Sequence, residues 1–183
     1  MSRISRQVYL SPINVLGFSS LIVGAMLLSS LLSRPALAVF EHSPRLILMA
    51  AASYPGIGAS VRYQFTISVP ADAGEPLQAI TITQRENLER IRFELGTIHA
   101  FAGGDFSGGP AVSLASIGGN EPSNSNEITV AFDPPIQPGN TVTVSIKGRH
   151  PSSRGVYLFG VTAFAAGENR PGLYLGERSI SFP

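Results

Sequence analysis

The stretch SVRYQFTISV, residues 60–69, decides the fold of this chain. Its apolar residues occupy every second position and alternate with polar ones. Because the side chains of a β-strand point alternately to opposite faces, this pattern predicts a strand with one face in a core and one in water. The same period of two recurs at Arg90–Leu95 and Thr141–Lys147. The sequence therefore indicates β-structure well beyond one segment.

The rest of the chain repeats this pattern between proline and glycine turns. Further strands are expected at Arg45–Ala52, Leu77–Gln84, Thr97–Phe101, Ala111–Ile117, Glu127–Phe132, Val156–Phe164 and Leu173–Phe182. We expect Asp133-Pro134-Pro135 to end one strand, Val156–Phe164 to be central and covered on both faces, and Gln84–Glu89 to form a single helical turn. With about eight or nine short strands, the prediction is an all-β fold, an antiparallel immunoglobulin-like β-sandwich. A closed barrel is the alternative.

The first 38 residues have the three parts of a secretory signal. Arg3 and Arg6 make a basic start, no charge occurs from Leu16 to Leu32, and Ala36-Leu37-Ala38 has the small-x-small pattern of a cleavage site. We predict a signal peptide with a hydrophobic helix over residues 1–38, followed by a single domain over 39–183. The alternative is an uncleaved anchor, because residues 13–32 could span a bilayer. Either interpretation predicts export to the periplasm, cell envelope or exterior.

Charge and cysteine content narrow the possible partners. Three of the 13 Lys and Arg residues precede Val39, which leaves ten against 12 Asp and Glu. This slightly acidic balance argues against a nucleic-acid partner. The chain has no cysteine, which excludes disulfides, thiolate metal sites and a thiol nucleophile. A membrane contact is expected only through the leader, if it is retained.

Several runs of residues resemble a cyanobacterial family of exported proteins, domain of unknown function 2808. These runs are Ala73–Leu77, Ile80–Glu86, Arg90–Phe93, Phe132–Pro135 with Pro138-Gly139, and Gly155–Phe164. The resemblance covers most of the chain from Pro44 to Phe182. It implies a cyanobacterial source and one exported domain, and it implies no activity and no functional residues.

The three histidines are the candidate metal ligands. His42, His99 and His150 have no metal-ligand spacing among them, so we expect no metal and no cofactor. A weaker hypothesis is a copper-binding carrier. His42 lies near the predicted mature amino terminus, and His150-Pro151 loosely resembles the Gly-His-Pro loop of periplasmic copper-binding sandwiches. Imidazole nitrogens suit Cu(II).

Catalytic signals are weaker still. The segment Gln84–Glu94 contains Glu86, Glu89 and Glu94, which could act as paired carboxylates in a glycosidase-like hydrolase. Alternating charges favour a solvated surface with weak ion pairs instead. No Gly-x-Ser-x-Gly elbow occurs. We therefore predict no catalytic residues and rank a hydrolase third.

One aromatic residue is a candidate contact with a partner. Phe106 lies between Gly103-Gly104 and Gly108-Gly109, in a segment without strand periodicity. An aromatic residue exposed on a loop is a common anchor in an interface; the alternative is that Phe106 folds back on the sandwich. We predict an exported, non-catalytic protein with a binding or structural role, whose partner is an envelope protein or a glycan.

We predict cleavage of the chain after Ala38. The intact mass of protein recovered from the cell envelope should therefore match residues 39–183. A mass that includes residues 1–38 would instead support the membrane anchor.

Overall fold

A computed structural model describes residues 40–52, 56–87, 89–104, 108–118 and 126–183. These residues contain strands and no helix. The strands are β1 Arg45–Ala52, β2 Ser60–Ser68, β3 Leu77–Gln84, β4 Phe93–Ala102, β5 Ala111–Val112, β6 Leu114–Gly118, β7 Glu127–Ile136, β8 Thr141–Arg149, β9 Gly155–Ala165 and β10 Leu173–Phe182.

The strands form two five-stranded sheets with antiparallel pairing throughout. Sheet A has the order β1-β2-β8-β4-β5, and sheet B has the order β10-β9-β3-β7-β6. The inner faces of the two sheets share one hydrophobic core. The prediction of an all-β antiparallel sandwich of immunoglobulin-like type is confirmed, and the closed barrel is not formed.

Alternation along β2 builds the inner face of sheet A as predicted. Tyr63, Phe65 and Ile67 are fully buried, and the partner strand β8 contributes Val144 and Ile146 opposite Phe65 and Tyr63. Each apolar residue of one strand faces an apolar residue of its neighbour. The pairing register is therefore specified, because a slip of one residue would move both apolar rows to the outer face of the sheet. The expectation that this outer face lies in water was wrong for part of β2, since Gln64 is 3% exposed and Thr66 is 1% exposed.

Three regions differ from the sequence-based expectation. The strand expected at Ala111–Ile117 is divided into β5, at the edge of sheet A, and β6, at the edge of sheet B. The strands expected at Arg90–Leu95 and Thr97–Phe101 form a single strand, β4, whose pairing with β8 shifts between Glu94 and His99. Strand β7 continues through Asp133-Pro134-Pro135 instead of ending there.

The prolines fit within β7 because they lie in a bulge, where no ladder N–H is needed. Along β7, the pairing with β3 stops after Ala131 and resumes at Ile136. The side-chain amide of Gln78 donates to the Phe132 carbonyl at 2.8 Å, and Asp133 N–H donates to the Ser113 carbonyl at 3.0 Å. These two bonds replace part of the interrupted ladder.

Strand β9 is internal to sheet B, and its outer face is only partly covered. Tyr157, Phe159 and Val161 are fully buried, whereas Val156 is 55% exposed and Leu158 is 39% exposed. The expectation that both faces are covered was wrong for these two residues, whereas Gly160 on the same outer face is buried beside the Tyr174 ring. The described residues place no further layer over the outer side of Val156 and Leu158.

The predicted signal peptide lies outside the described residues. Contacts divide the chain into Met1–Arg34 and Pro35–Pro183, and every described residue belongs to the second unit. Within the described part of the chain, no helix has the length and apolarity needed to cross a membrane. The boundary at residue 38 stays a prediction.

Phe159→Ala should lower the free energy of unfolding by about 3–5 kcal/mol, because it removes a fully buried ring and leaves a cavity. Leu158→Ala is the matched control on the same strand, and its loss should stay within about 1 kcal/mol. Denaturant melts of both variants measure the difference. Equal losses would mean that the two faces of β9 are equally covered.

Candidate functional site: an arginine cleft at one end of the sandwich

One end of the sandwich contains a cleft with a volume of about 260 Å³. We call it the arginine cleft. Its walls are the turn before β2, the segment before β4, the end of β8 and the connection from β8 to β9. The lining residues are Ile57, Gly58, Glu89, Arg90, Arg92, Arg149, His150 and Ser152.

A buried glutamine holds the first wall. Gln84 is 3% exposed, and its amide group donates to the Glu89 carbonyl at 2.9 Å. Its side-chain oxygen accepts a hydrogen bond from Ile91 N–H, also at 2.9 Å. The backbone from 89 to 91 is thus held on both sides by one side chain. The described residues of Gln84–Glu89 form no helical turn, although one was expected. The Gln84 carbonyl, which would begin such a turn, accepts a hydrogen bond from the Asn126 side-chain amide at 3.0 Å, and Arg85 N–H donates to the Leu158 carbonyl at 2.9 Å.

Backbone bonds hold the opposite wall. Gly58 N–H donates to the His150 carbonyl at 3.1 Å, and His150 N–H donates to the Ala59 carbonyl at 2.8 Å. The Tyr63 hydroxyl donates to the Arg149 carbonyl at 3.1 Å. The cleft is therefore attached to the ends of β2 and β8, where the core strands are rigid.

Two arginines of the cleft lie side by side on neighbouring segments of the backbone. Arg149 N–H donates to the Arg92 carbonyl at 3.2 Å, and the neighbouring pair is Phe93 opposite Gly148. Arg92 and Arg149 are therefore cross-strand neighbours on one face of sheet A. Within the described residues, neither side chain is in an ion pair. Like charges directly opposite each other are destabilising, so a bound anion would relieve this repulsion.

The geometry of Arg149 also suits anion binding. One of its guanidinium nitrogens donates to the Gly58 carbonyl at 3.1 Å, which orients the group at the mouth of the cleft. A guanidinium presents donors in a planar fork that matches a carboxylate, sulfate or phosphate. Both arginines are exposed to solvent, so an anionic group can reach them.

The carboxylate of the cleft is already occupied by donors from the β8–β9 connection. Glu89 Oε2 accepts hydrogen bonds from Ser152 N–H and Ser152 Oγ, both at 2.7 Å, and from Ser153 N–H at 3.0 Å. The bond from the Ser152 side chain is the main cause that lowers the pKa of Glu89, followed by the Ser153 bond, with a smaller contribution from Arg92. Glu89 therefore joins two walls of the cleft.

The structure does not bring His42 and His150 together. His42 lies beyond the Ser68 end of β2, where its Nδ1 donates to the Asp72 carbonyl at 3.0 Å and lies 3.3 Å from Asp72 Oδ2. His150 lies at the Ser60 end, and the nine residues of β2 separate the two ends by about 26 Å. The two rings cannot share one Cu(II) ion.

His150 has a structural environment. It is 8% exposed, its Nδ1 donates to the Pro151 carbonyl at 2.7 Å, and its ring packs edge-on against Phe182 with centroids 4.8 Å apart. In the described part of the chain, no three His, Cys, Asp or Glu residues form a group that could hold a metal ion. His99 is exposed on β4.

The other candidate residues remain apart. The Ser152 hydroxyl donates to Glu89, and the Nδ1 atom of His150 is bonded to the backbone, so these three residues do not form the relay of a hydrolase. Glu94 lies opposite Lys147 on sheet A, and Glu86 is exposed in the segment after β3. Phe106, the candidate partner contact, lies outside the described residues.

Arg85 forms a separate polar cluster on the outer face of sheet B. Its guanidinium donates to the Glu177 carboxylate and to the Tyr174 hydroxyl, the latter at 3.2 Å, and lies 5.6 Å from the centre of the Tyr174 ring. The hydrogen bond from Arg85 is the largest cause that lowers the pKa of Glu177. Arg85 is thus paired with a carboxylate, whereas neither Arg92 nor Arg149 is in an ion pair within the described residues.

The family described as "Protein of unknown function (DUF2808)" matches residues 37–182. The chain belongs to this family. The resemblance inferred from the sequence is thereby confirmed for the family, whereas the cyanobacterial source stays a prediction. No curated protein matches the chain in sequence.

Similarity to solved structures is limited to the architecture. One similar chain comes from a structure of manganese lipoxygenase of Gaeumannomyces graminis with partial zonadhesin of Komagataella pastoris (13% identity, TM-score 0.46), and the match covers 79% of this chain and 50% of that one. The collagen-binding domain of a Staphylococcus aureus adhesin is 13% identical, with coverage of 79% and 99% and a TM-score of 0.40. An immunoglobulin-like protein from Nocardia farcinica is 18% identical, with coverage of 69% and 80% and a TM-score of 0.40.

Sequence reasoning named Glu89 and His150 in other roles and missed the arginines of the cleft. Arg149 departs from the Gly-His-Pro pattern, since it stands between Gly148 and His150, and Gln84 was considered only as the start of a helical turn. Ser152 carried no signal at all. The unusual run Lys147-Gly148-Arg149 was the available signal, since its two cations share one face of a strand.

Glu89→Gln should lower the free energy of unfolding at pH 7 by about 1 kcal/mol, because charge-assisted bonds at a partly exposed site are lost. The folded pKa of Glu89 is depressed, so this stabilisation is present above the ordinary carboxyl pKa and is lost as the pH falls through the folded value. The difference from wild type should therefore shrink below about pH 4.3.

Glu86→Gln is the control for this measurement, since Glu86 makes no hydrogen bond or ion pair within the described residues. Denaturant melts between pH 3 and pH 7 compare the three proteins. A difference between wild type and Glu89→Gln that does not change over this range would contradict the role of the ionised carboxylate.

Proposed function

We propose that this protein is an exported, non-catalytic binding domain of the cell envelope, and that the arginine cleft binds an anionic group of its partner. The observation that carries the proposal is the pair Arg92 and Arg149. The two cations lie opposite each other, exposed, and outside any ion pair of the described residues. A bound anion would supply the missing counter-charge.

The polar groups of the cleft favour binding over catalysis. Hydrolysis by a serine needs a base that removes the proton of the hydroxyl. The Ser152 hydroxyl donates to the Glu89 carboxylate, but this carboxylate also accepts hydrogen bonds from two backbone N–H groups, and its lowered pKa makes it a weak base. The hydrogen bonds of Glu89 therefore connect two walls of the cleft. The arginines are the groups that remain available to bind a ligand.

Export is proposed from the sequence of the leader. The basic start, the uncharged run and Ala36-Leu37-Ala38 together favour secretion. An exported domain meets envelope proteins and glycans, many of which carry carboxylate, sulfate or phosphate groups. The partner is therefore an envelope protein or a glycan with such a group.

Titration with sodium sulfate at constant ionic strength should shift the backbone NMR signals of Arg92, Arg149 and Ser152 in a saturable way. Arg92→Gln should weaken this binding about fivefold, the effect of roughly one charge interaction near a surface. Arg45→Gln is the control, because Arg45 is exposed on the same sheet and pairs with Ser68 at the far end of β2. Sulfate shifts that are unchanged in Arg92→Gln, or absent from the cleft of the wild type, would contradict the proposal.

A further inference from the structure

Two rows of charged residues extend from the arginine cleft onto the outer face of sheet A. The pairing of β2, β8 and β4 places Ser60, Arg149 and Arg92 in one row. The next row contains Arg62, Lys147 and Glu94. Gly148 separates the rows on β8 and faces inward, where a Cβ atom would lie 3.0 Å from the Tyr63 ring and 3.1 Å from the Phe93 ring. Lys147 and Arg149 therefore point to the same outer face.

This surface is strongly cationic, although the chain as a whole is nearly neutral. We call the four residues Arg62, Arg92, Lys147 and Arg149 the basic stripe. All four are exposed, and none is in an ion pair within the described part of the chain. Glu94 is the single carboxylate in the two rows. Charges of one sign that lie close together raise the local concentration of an oppositely charged ligand.

The size of the basic stripe exceeds that of one small anion. Neighbouring strands lie about 4.8 Å apart, and alternate residues of a strand about 6.7 Å apart. Three strands and two rows therefore spread the four cations over about 10 Å by 7 Å. An anion bound between Arg92 and Arg149 would leave Arg62 and Lys147 without a partner, whereas a chain of linked anionic groups could reach all four.

We propose that the ligand is an acidic polysaccharide, which places one anionic sugar in the arginine cleft and further ones over Arg62 and Lys147. This inference rests on the proposed function of the cleft. Linked binding sites act together, so affinity should rise with the length of the polysaccharide.

The composition of the two rows favours a glycan over other polyanions. Single-stranded nucleic acid is held by aromatic rings on which bases stack, whereas Tyr63 and Phe93 are directed into the core beside Gly148. Protein interfaces centre on apolar and aromatic anchors, and all six residues of these rows are charged or hydroxylic. A hydrated, regularly charged sugar chain needs neither kind of contact.

Calorimetric titration of the protein with digalacturonate and octagalacturonate tests the proposal. The octamer should bind at least about tenfold more tightly than the dimer. Arg62→Gln and Lys147→Gln should each weaken octamer binding about fivefold and dimer binding less than that, because a dimer with one sugar in the cleft reaches only one of these two cations. Arg92→Gln should weaken both, and the control Arg45→Gln should weaken neither. Thermal unfolding of each variant verifies that the fold is retained.

Three results would overturn the inference while leaving the proposed function intact. These are equal affinity for dimer and octamer, octamer binding that is unaffected in both Arg62→Gln and Lys147→Gln, and tighter binding of an oligothymidylate or oligoglutamate of equal charge. Loss of sulfate binding at the cleft would instead refute the proposed function itself, so the two failures are distinguishable.

Discussion

The contact of Phe159 with the aromatic residues of the opposite sheet is the interaction on which the rest of the structure depends. Phe159 is fully buried on β9 of sheet B, and its ring lies 5.9 Å from Phe65 and 6.0 Å from Phe93, both on sheet A. These edge-on arrangements are favoured by the charge distribution of aromatic rings. The chain has no cysteine, so no disulfide joins the two sheets, and burial of their shared apolar core is the main force that holds them together.

The same aromatic cluster positions the polar end of the sandwich. Tyr63 lies 5.2 Å from Phe93 in the core, and its hydroxyl bonds to the Arg149 carbonyl at the surface. His150 packs on Phe182, which in turn packs on Tyr157 at 5.4 Å. The backbone on either side of the cleft is therefore anchored by buried rings. A cleft built in this way presents its arginines from rigid strand ends, which limits the entropy lost on binding.

The charged groups of the described surface fall into two kinds. Arg85, Glu177 and Tyr174 satisfy one another on sheet B, and Glu89 is satisfied by three donors from Ser152 and Ser153. Arg92 has no such bond, and Arg149 has only the Gly58 carbonyl within the described residues. Arginines that lie beside a cleft and are in no ion pair are suited to bind an external anion. Repulsion between them makes the cleft less stable without a ligand.

The sequence by itself determined the β-sandwich, because the alternation of apolar and polar residues can be seen within each segment alone. When one face of a sheet is buried, this alternation specifies which face of each strand points to the core. The strands β1, β3 and β10 have the bounds expected from their residues, and Phe159 is buried as its strand pattern predicts. The family could also be inferred, since several specific runs are present in the chain. Local patterns were less reliable where another strand or side chain intervened. A bulge carried β7 through two prolines, and the Asn126 side chain bonds to the Gln84 carbonyl that would have begun a helical turn.

Only the tertiary structure decided the candidate site. Glu89 and Arg92 are far along the chain from Arg149 and Ser152, and pairing of β4 with β8 brings the two arginines together. The distance between His42 and His150 could not be predicted from the sequence either, because it depends on which end of β2 each of their loops reaches. Such proximity follows from register and loop path, which are set by burial of the whole core rather than by the residues of the site themselves.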